Sequence, residues 1–275
     1  MSNIFSLHSD LLLPTIAFQQ MYVEMYVFYA KSVNTNRVVL YVKIQVHGGI
    51  PDLATANETG SKIYQLFWIF MIGCVAGDII ETIYCFFGTG TIMNRSSVLY
   101  GPFSIVWGAG AVLMSLFAML LYSMNINVKS LRASVIIVAA GAVIGGVHEY
   151  FSSYLSEILF GSVHWDYSDM EYNFDGRTNL LFCVYWGIIA LVWIRWMYPK
   201  VCSLIKTVPF KIGRIITIAA TVFMVLNLYI SGCSLARYTQ RAHNIPAKSE
   251  YERFLDENYP DSLITSHFPD IKVVR

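Results

Sequence analysis

The stretch LRASVIIVAAGAVIGGVHEYFSSYLSEILF, residues 131–160, decides the fold. From Ala133 to Val147 it holds only apolar side chains, glycines and one serine, and His148-Glu149-Tyr150 follows. A bilayer core about 30 Å thick takes roughly 20 helical residues at about 1.5 Å each, so a helix entering at Arg132 leaves no earlier than about residue 152. Glu149 therefore lies inside the membrane, in its far third. An ionisable group at that depth costs on the order of 3 kcal/mol, which predicts a partner and a protein-lined or watery surrounding. Ser153, Ser156 and Glu157 follow at i+4, i+7 and i+8, so one face of this helix is a polar stripe. A lone intramembrane glutamate can also be a packing hydrogen bond and nothing more. The presence of further acids elsewhere in the chain argues for a site.

Composition agrees with a membrane protein. The chain of 275 residues is 56% hydrophobic and 13% charged, against about 25% charged in an ordinary soluble domain. A net charge of +1 without a dense basic cluster argues against a nucleic-acid partner. Cys74, Cys85, Cys183, Cys202 and Cys233 all sit in or beside apolar runs and lack metal-type spacing, so they read as small buried hydrophobes. The N-terminus has no secretory-signal pattern, which leaves insertion to the first spanning helix.

Five apolar runs are long enough to span: about 63–87, 103–124, 131–160, 179–198 and 212–234. The expected fold is thus all-α, a polytopic integral membrane helix bundle of about five transmembrane helices. Residues 1–60 form an N-terminal extension, 61–235 the transmembrane domain and 236–275 a polar C-terminal appendix. In the extension, Met21–Ala30 and Arg37–Val46 around Asn34-Thr35-Asn36 read as two strands and a turn. A weak helix over Leu11–Ala30, or an extension without a role, stays open beside that reading. Gly48-Gly49, Pro51 and the polar run to Lys62 read as a linker. In the appendix, Glu250–Glu257 reads as a short helix, with turns at Tyr259-Pro260-Asp261 and Phe268-Pro269-Asp270.

Lysines and arginines set the orientation. With the first helix starting in the cytoplasm, that side receives Lys62, Lys129, Arg132, Arg195, Lys200, Lys206, Lys211 and Arg214. The opposite connecting loops receive only Arg95 and Arg177. The expectation is a multi-pass protein of the cell membrane, N-terminus cytoplasmic and C-terminus external. Glu81, above the small-residue face of Gly73 and Gly77, then lies about 27 Å up the first helix, and Glu149 about 25 Å up the third. Asp78, one turn below Glu81, shares its surroundings. The outer connections carry Asn94-Arg95, Tyr100-Gly101-Pro102, Trp165-Asp166-Tyr167 and Asn173 to Arg177. Their interleaved aromatics suggest a lid over the helices or a position at headgroup level.

Several of these pieces together resemble a known family. They are Glu81 with Tyr84-Cys85, Asn94-Arg95, Leu99 to Phe103, Gly108 and Gly110, Glu149-Tyr150 with Glu157, and Trp165 to Ser168. Asn173, Gly176-Arg177, Trp186-Gly187, Phe254-Leu255-Asp256, Tyr259-Pro260-Asp261 and Phe268-Pro269 complete the set. The chain from about residue 62 onward is similar to the CmpB-type membrane proteins named "putative ABC-transporter (type IV)", related to the transmembrane protein 229 group. It departs from them at Ser104-Ile105-Val106-Trp107, where the family usually has Cys-Pro-Ile-Tyr, so a cysteine-dependent mechanism there is excluded. The resemblance implies a permease-like protein. No G-x-x-x-x-G-K-[ST] is present, so the expected partners are the lipid bilayer and a separate ATPase subunit or another membrane partner.

Three functions fit these residues. The first is a permease whose charged outer-leaflet cavity binds a small polar or zwitterionic solute. Its expected lining is Glu81, Asn94, Arg95, Tyr100, Glu149, Tyr150, Ser153, Glu157, Trp165, Asp166, Tyr167, Asn173 and Arg177. The second is a membrane enzyme acting on a lipid or lipid-linked substrate, with two carboxylates as acid and base and the arginines holding a phosphate. The third is an accessory subunit that pairs its polar stripe with a partner's helices. No cofactor and no metal are expected. His148, Glu149 and His164 make a weak ligand set, because neighbours on a helix point about 100° apart.

Overall fold

In the computed structural model, the backbone is described for residues 5–7, 22–31, 38–47 and 53–274, and side chains for 61–209 and 211–274. The chain divides into two compact units, Met1–Tyr64 and Gln65–Arg275. In the first unit, β1 (Phe5–Leu7), β2 (Tyr22–Lys31) and β3 (Val38–His47) form an antiparallel sheet in that order. Tyr22 is opposite His47 and Lys31 opposite Val38, so of the two readings of this region the strands are the ones observed. The turn at Asn34-Thr35-Asn36 and the segment Gly48 to Asp52 lie outside the described residues.

Five helices are long and apolar enough to cross a membrane. Helix α1 (Leu53–Thr89) begins ten residues before the expected start, so the polar run taken as a linker is helical. Helices α2 (Ile105–Ser123) and α3 (Leu131–Phe160) follow. The hydroxyl of Ser130 caps α3 by accepting from the Ala133 N–H at 3.2 Å, and Gly161 closes it at φ 70°, a left-handed conformation that suits glycine.

The fourth span is longer than its sequence suggests. Helix α4 (Leu180–Val192) runs through a π-helical turn, Trp193–Met197, into α5 (Tyr198–Thr207). The apolar run read from the sequence ends at Tyr198, just before Pro199. Proline removes one N–H and its ring collides with the carbonyl four residues back. The wider turn, in which the Tyr198 N–H reaches the Trp193 carbonyl, absorbs that misfit without ending the helix. The fifth span, α6 (Phe210–Ala242), also outruns its expected end.

Packing relies on small residues, as it must where lipid is as apolar as leucine. A Cβ on Gly145 would lie 2.2 Å from the Trp186 Cβ, and one on Gly141 2.4 Å from the Ala190 Cβ, so α3 and α4 touch through their glycines. Ile137, Met114, Ala118, Trp186, Ala190 and Ile194 form the buried centre of α2, α3 and α4.

The C-terminal residues are not a loose appendix. Helix α7 (Glu250–Asn258) starts on a capping box of Ser249 and Glu252. Helix α8 (Asp261–His267) lies between the two segments read as turns. Strand β7 (Lys272–Val273) then pairs with β4 (Ser162–Val163), directly after α3. Arg237 of α6, 3% exposed, grips Asp256 with two nitrogens at 2.8 and 2.9 Å. Leu99, Leu235, Ile264 and Phe268 form a second core between the first connection, α6 and the tail.

Candidate functional site

The first connection (90–104), the second (161–179) and the tail meet at one end of the bundle. Each is pinned there by a specific contact. Buried Asn227 of α6 holds Tyr100 at both its N–H (3.2 Å) and its carbonyl (2.7 Å), and Ser231 accepts from the Leu99 N–H at 2.9 Å. In the second connection, β5 (Asn173–Phe174) and β6 (Thr178–Asn179) form a small hairpin. Asp175 and Gly176 have φ 51° and 64°, and the Arg177 N–H reaches the Phe174 carbonyl at 2.9 Å. Asp-Gly is the dipeptide such turns prefer, a signal present in the sequence but not read there as a hairpin. The hairpin delivers Arg177 and Thr178 to the helix ends.

Glu81 is the centre of one polar cluster. Arg95 directs Nη2 (2.8 Å) and Nε (3.2 Å) to its Oε1, while the Trp107 indole donates to Oε2 at 3.1 Å. Trp107 fits against α1 because residue 77 is glycine, where a Cβ would lie 2.0 Å from the Trp107 Cβ. Burial works against the charge on Arg95, and the Glu81 carboxylate more than offsets it, holding the guanidinium above its ordinary range. Asp78, one turn away, is 8% exposed, and its Oδ1 meets no donor among the described residues.

Glu149 is buried and pairs with no cation among the described residues. It accepts from Tyr167 at 3.0 Å and from Thr178 at 2.7 Å, both residues of the second connection. Burial and the negative charge of Glu149, with that of Glu81 beyond it, push the Tyr167 phenol up, so it stays protonated and donates. The two acids thus act on one phenol. Arg177 pairs with Glu157, one of the acids that it and Arg95 were expected to balance, touches Ser153 at 3.5 Å and lies over the rings of Tyr150 and Tyr154. Its hairpin places it one turn too far out to reach Glu149.

The remaining expected lining residues hold loops together. Asn94 bonds the His267 ring at 3.0 Å and Tyr100 meets Tyr259 at 2.8 Å. Tyr150 donates to Asp175, and Trp165 to the Arg177 carbonyl, both at 2.8 Å. Asn173 donates to the Met170 carbonyl at 2.7 Å. Asp166 accepts from the Ser168 hydroxyl and N–H and from Lys272, contacts that take its carboxyl down to about 2. Residues missed from the sequence are Trp107, Thr178, Asn227 and the tail acid Asp270, which binds Arg95.

His148 turns away from Glu149 to the Val106 carbonyl at 2.8 Å. Among the described residues, no three His, Cys, Asp or Glu side chains cluster as metal ligands. One shallow groove, lined by Met170, Glu171, Tyr172, Asn179, Leu180, Leu181 and Val184, lies beside the hairpin and does not reach Glu81 or Glu149.

Five spans and carboxylates gathered under docked loops define a multi-pass α-helical membrane protein. The chain belongs to the family described as "Putative ABC-transporter type IV", whose sequence profile matches residues 68–232. No curated protein and no solved structure matches it.

Proposed function

We propose that this protein is the membrane-spanning component of a transporter, with a polar site in the outer leaflet that takes a small polar or zwitterionic solute. The observation that carries this reading is that each connection supplies the partner of an acid on a spanning helix: Arg95 of the first pairs with Glu81 at 2.8 Å, and Tyr167 and Thr178 of the second donate to Glu149 at 3.0 and 2.7 Å. Opposite charges and neutral donors held close inside a membrane suit a solute that bears both charge signs. An ATPase subunit would be separate. The orientation read from the basic residues, with the tail outside the cell membrane, belongs to the same proposal, as does kinship with the transmembrane protein 229 group through the Glu81, Asn94-Arg95 and Tyr100-Gly101-Pro102 motifs. Domain limits near residues 61 and 235 are also part of it.

The test is a melting-temperature screen of the full chain in nanodiscs against zwitterionic amino acids and betaines. A ligand that raises the wild-type midpoint and leaves Glu81→Gln and Glu149→Gln unmoved supports the reading. No shift across the panel, or equal shifts in all three proteins, overturns it. An impermeant maleimide in intact cells should label Ser266→Cys and spare Lys200→Cys, and the reverse pattern would invert the topology.

One observation favours a second reading, an accessory subunit: Glu81, Glu149 and Glu157 are all satisfied from within the chain. Recovery of a stoichiometric membrane partner with the wild type, lost on Glu149→Ala, would support it.

A further inference from the structure

The Arg95 guanidinium is used on two sides by groups of different character. Its Nε and Nη2 edge faces Glu81, an acid fixed on a spanning helix. Its Nη1 faces Asp270 of the tail. The Arg95 side chain is 12% exposed and that of Asp270 is 50% exposed. Asp270 has Arg95 as its sole hydrogen-bond or ion-pair partner among the described residues. A carboxylate that is half in water and singly held contributes little to stability. It does supply a second negative charge to a buried guanidinium.

The segment that carries Asp270 is a short strap. Phe268, 3% exposed, is its anchor in the second core, packed edge-on against the His164 ring. Beyond Pro269 the strap is held by partly buried Ile271 against the second core, by the two-residue β4–β7 pairing, by the Val274 N–H on the Gly161 carbonyl at 2.9 Å and by Lys272 on Asp166 at 2.9 Å. The Lys272 contact is exposed, and two-residue ladders are weak alone. The strap can therefore detach after Phe268 while α7 stays bound through Arg237 and Asp256. Its departure leaves Nη1 of a charged, largely buried guanidinium without an acceptor, a costly state unless another acceptor arrives. A planar fork of this kind suits a carboxylate or a phosphate.

We propose that the outward edge of Arg95 is a binding seat for an oxyanion, the carboxylate or phosphate group of a ligand, and that Asp270 fills the seat when no ligand is bound. This deepens the solute-binding reading and rests on it for the identity of the cargo, though the seat itself can be tested without transport. The oxyanion has two sources, a free solute and a lipid headgroup, with the same chemistry at Arg95.

The experiment uses the full chain in nanodiscs and two measurements. Ser162→Cys with Val273→Cys, opposite each other in the β4–β7 ladder, reports strap docking by the rate at which an oxidant forms the disulfide. Calorimetry reports the affinity of inorganic phosphate. In phosphatidylcholine discs, millimolar phosphate should slow the disulfide several-fold. In Asp270→Ala, phosphate should bind about tenfold tighter because the internal competitor is gone. Arg95→Ala would strand Glu81 and risks unfolding, so Arg95→Lys, which keeps the charge and loses the fork, is added to Asp270→Ala and should abolish that gain. If phosphatidate in the disc slows the disulfide and free phosphate does not, the seat stands and takes a headgroup.

The inference is overturned if neither anion changes the disulfide rate and Asp270→Ala binds phosphate no tighter than wild type. Full retention of the gain in the Arg95→Lys background would overturn it equally. A zwitterion that shifts wild type but not Glu149→Gln, alongside a negative phosphate result, would remove the seat and leave the transporter reading intact. A positive phosphate result without any zwitterion effect would do the opposite.

Discussion

Tyr167 donates its phenolic hydrogen to Glu149 at 3.0 Å. A loop residue thus satisfies a buried acid well inside a spanning helix, and the second connection cannot lift away without leaving that carboxylate short of a donor. The contact makes the loop part of the membrane domain's interior.

Tyr167→Phe keeps the ring, which stacks on Phe182 with centroids 4.6 Å apart, and deletes only the hydroxyl. Removing one donor from a buried carboxylate is expected to cost about 1–3 kcal/mol. In a double-mutant cycle with Glu149→Leu, the pair should cost less than the sum of the singles. Reversible unfolding in mixed micelles measures all three. Simple additivity would show that the hydroxyl and carboxylate do not interact.

Arg95→Ala should be more severe than loss of the whole pair. It leaves Glu81, 27% exposed, with the Trp107 indole alone, and a partly buried charge that loses its cation costs about 1–3 kcal/mol. Glu81→Leu combined with Arg95→Leu should recover much of that loss, read as midpoint denaturant concentration. A double variant as weak as Arg95→Ala would mean that the charge pair is not the dominant interaction there.

Gly77 is where α1 admits the Trp107 side chain. Gly77→Ala forces a methyl into the ring and is expected to cost about 1–3 kcal/mol through overpacking. In a Trp107→Ala background the same change should be nearly free. An equal penalty in both backgrounds would assign the glycine a different role.

His164 supplies a pH dependence. Burial, assisted by the Arg95 charge, takes its imidazole down to about 4 from 6.5, and its Nε2 has no partner among the described residues. The unfolded chain binds a proton below about pH 6.5 and the folded chain only below about 4. Stability from this group is therefore complete above pH 6.5, falls as the pH drops through that window and is lost below it. Because the ring packs on Phe268, strap docking should weaken with it. Disulfide formation between Ser162→Cys and Val273→Cys, compared at pH 7 and pH 5 with and without His164→Asn, reads the effect. Thiolate loss slows the oxidation at pH 5 in any background, so the fall should be smaller in the His164→Asn protein than with His164 present, and equal falls would dismiss the effect.

Much of this architecture is legible in residue order. Spans must be long and apolar because lipid offers no hydrogen bonds to a bare backbone, so hydropathy locates all five, and α3 begins and ends at Leu131 and Phe160 as read. Helix rise leads to the expectation of Glu81 and Glu149 at like depth, and each of these acids meets a donor from a connection. Arg95 and Tyr167 were both named as candidates, and both bond those acids. Expectation failed where two distant segments had to choose each other. The fourth span passes its expected end at Tyr198 because a π turn carries the helix through Pro199. Asp256 becomes structural because Arg237 of α6 reaches it, Asp270 because Arg95 does, and Phe268 because it fills the second core.

Residue order by itself determined the class of protein and the number of spans, since both follow from local periodicity and the thickness of a bilayer. Only the tertiary structure decided which donor meets which acid and that the tail returns to cover Arg95. A hydrogen bond or ion pair selects its partner within about 3 Å, and that distance between residues far apart in sequence is set by the packing of whole helices.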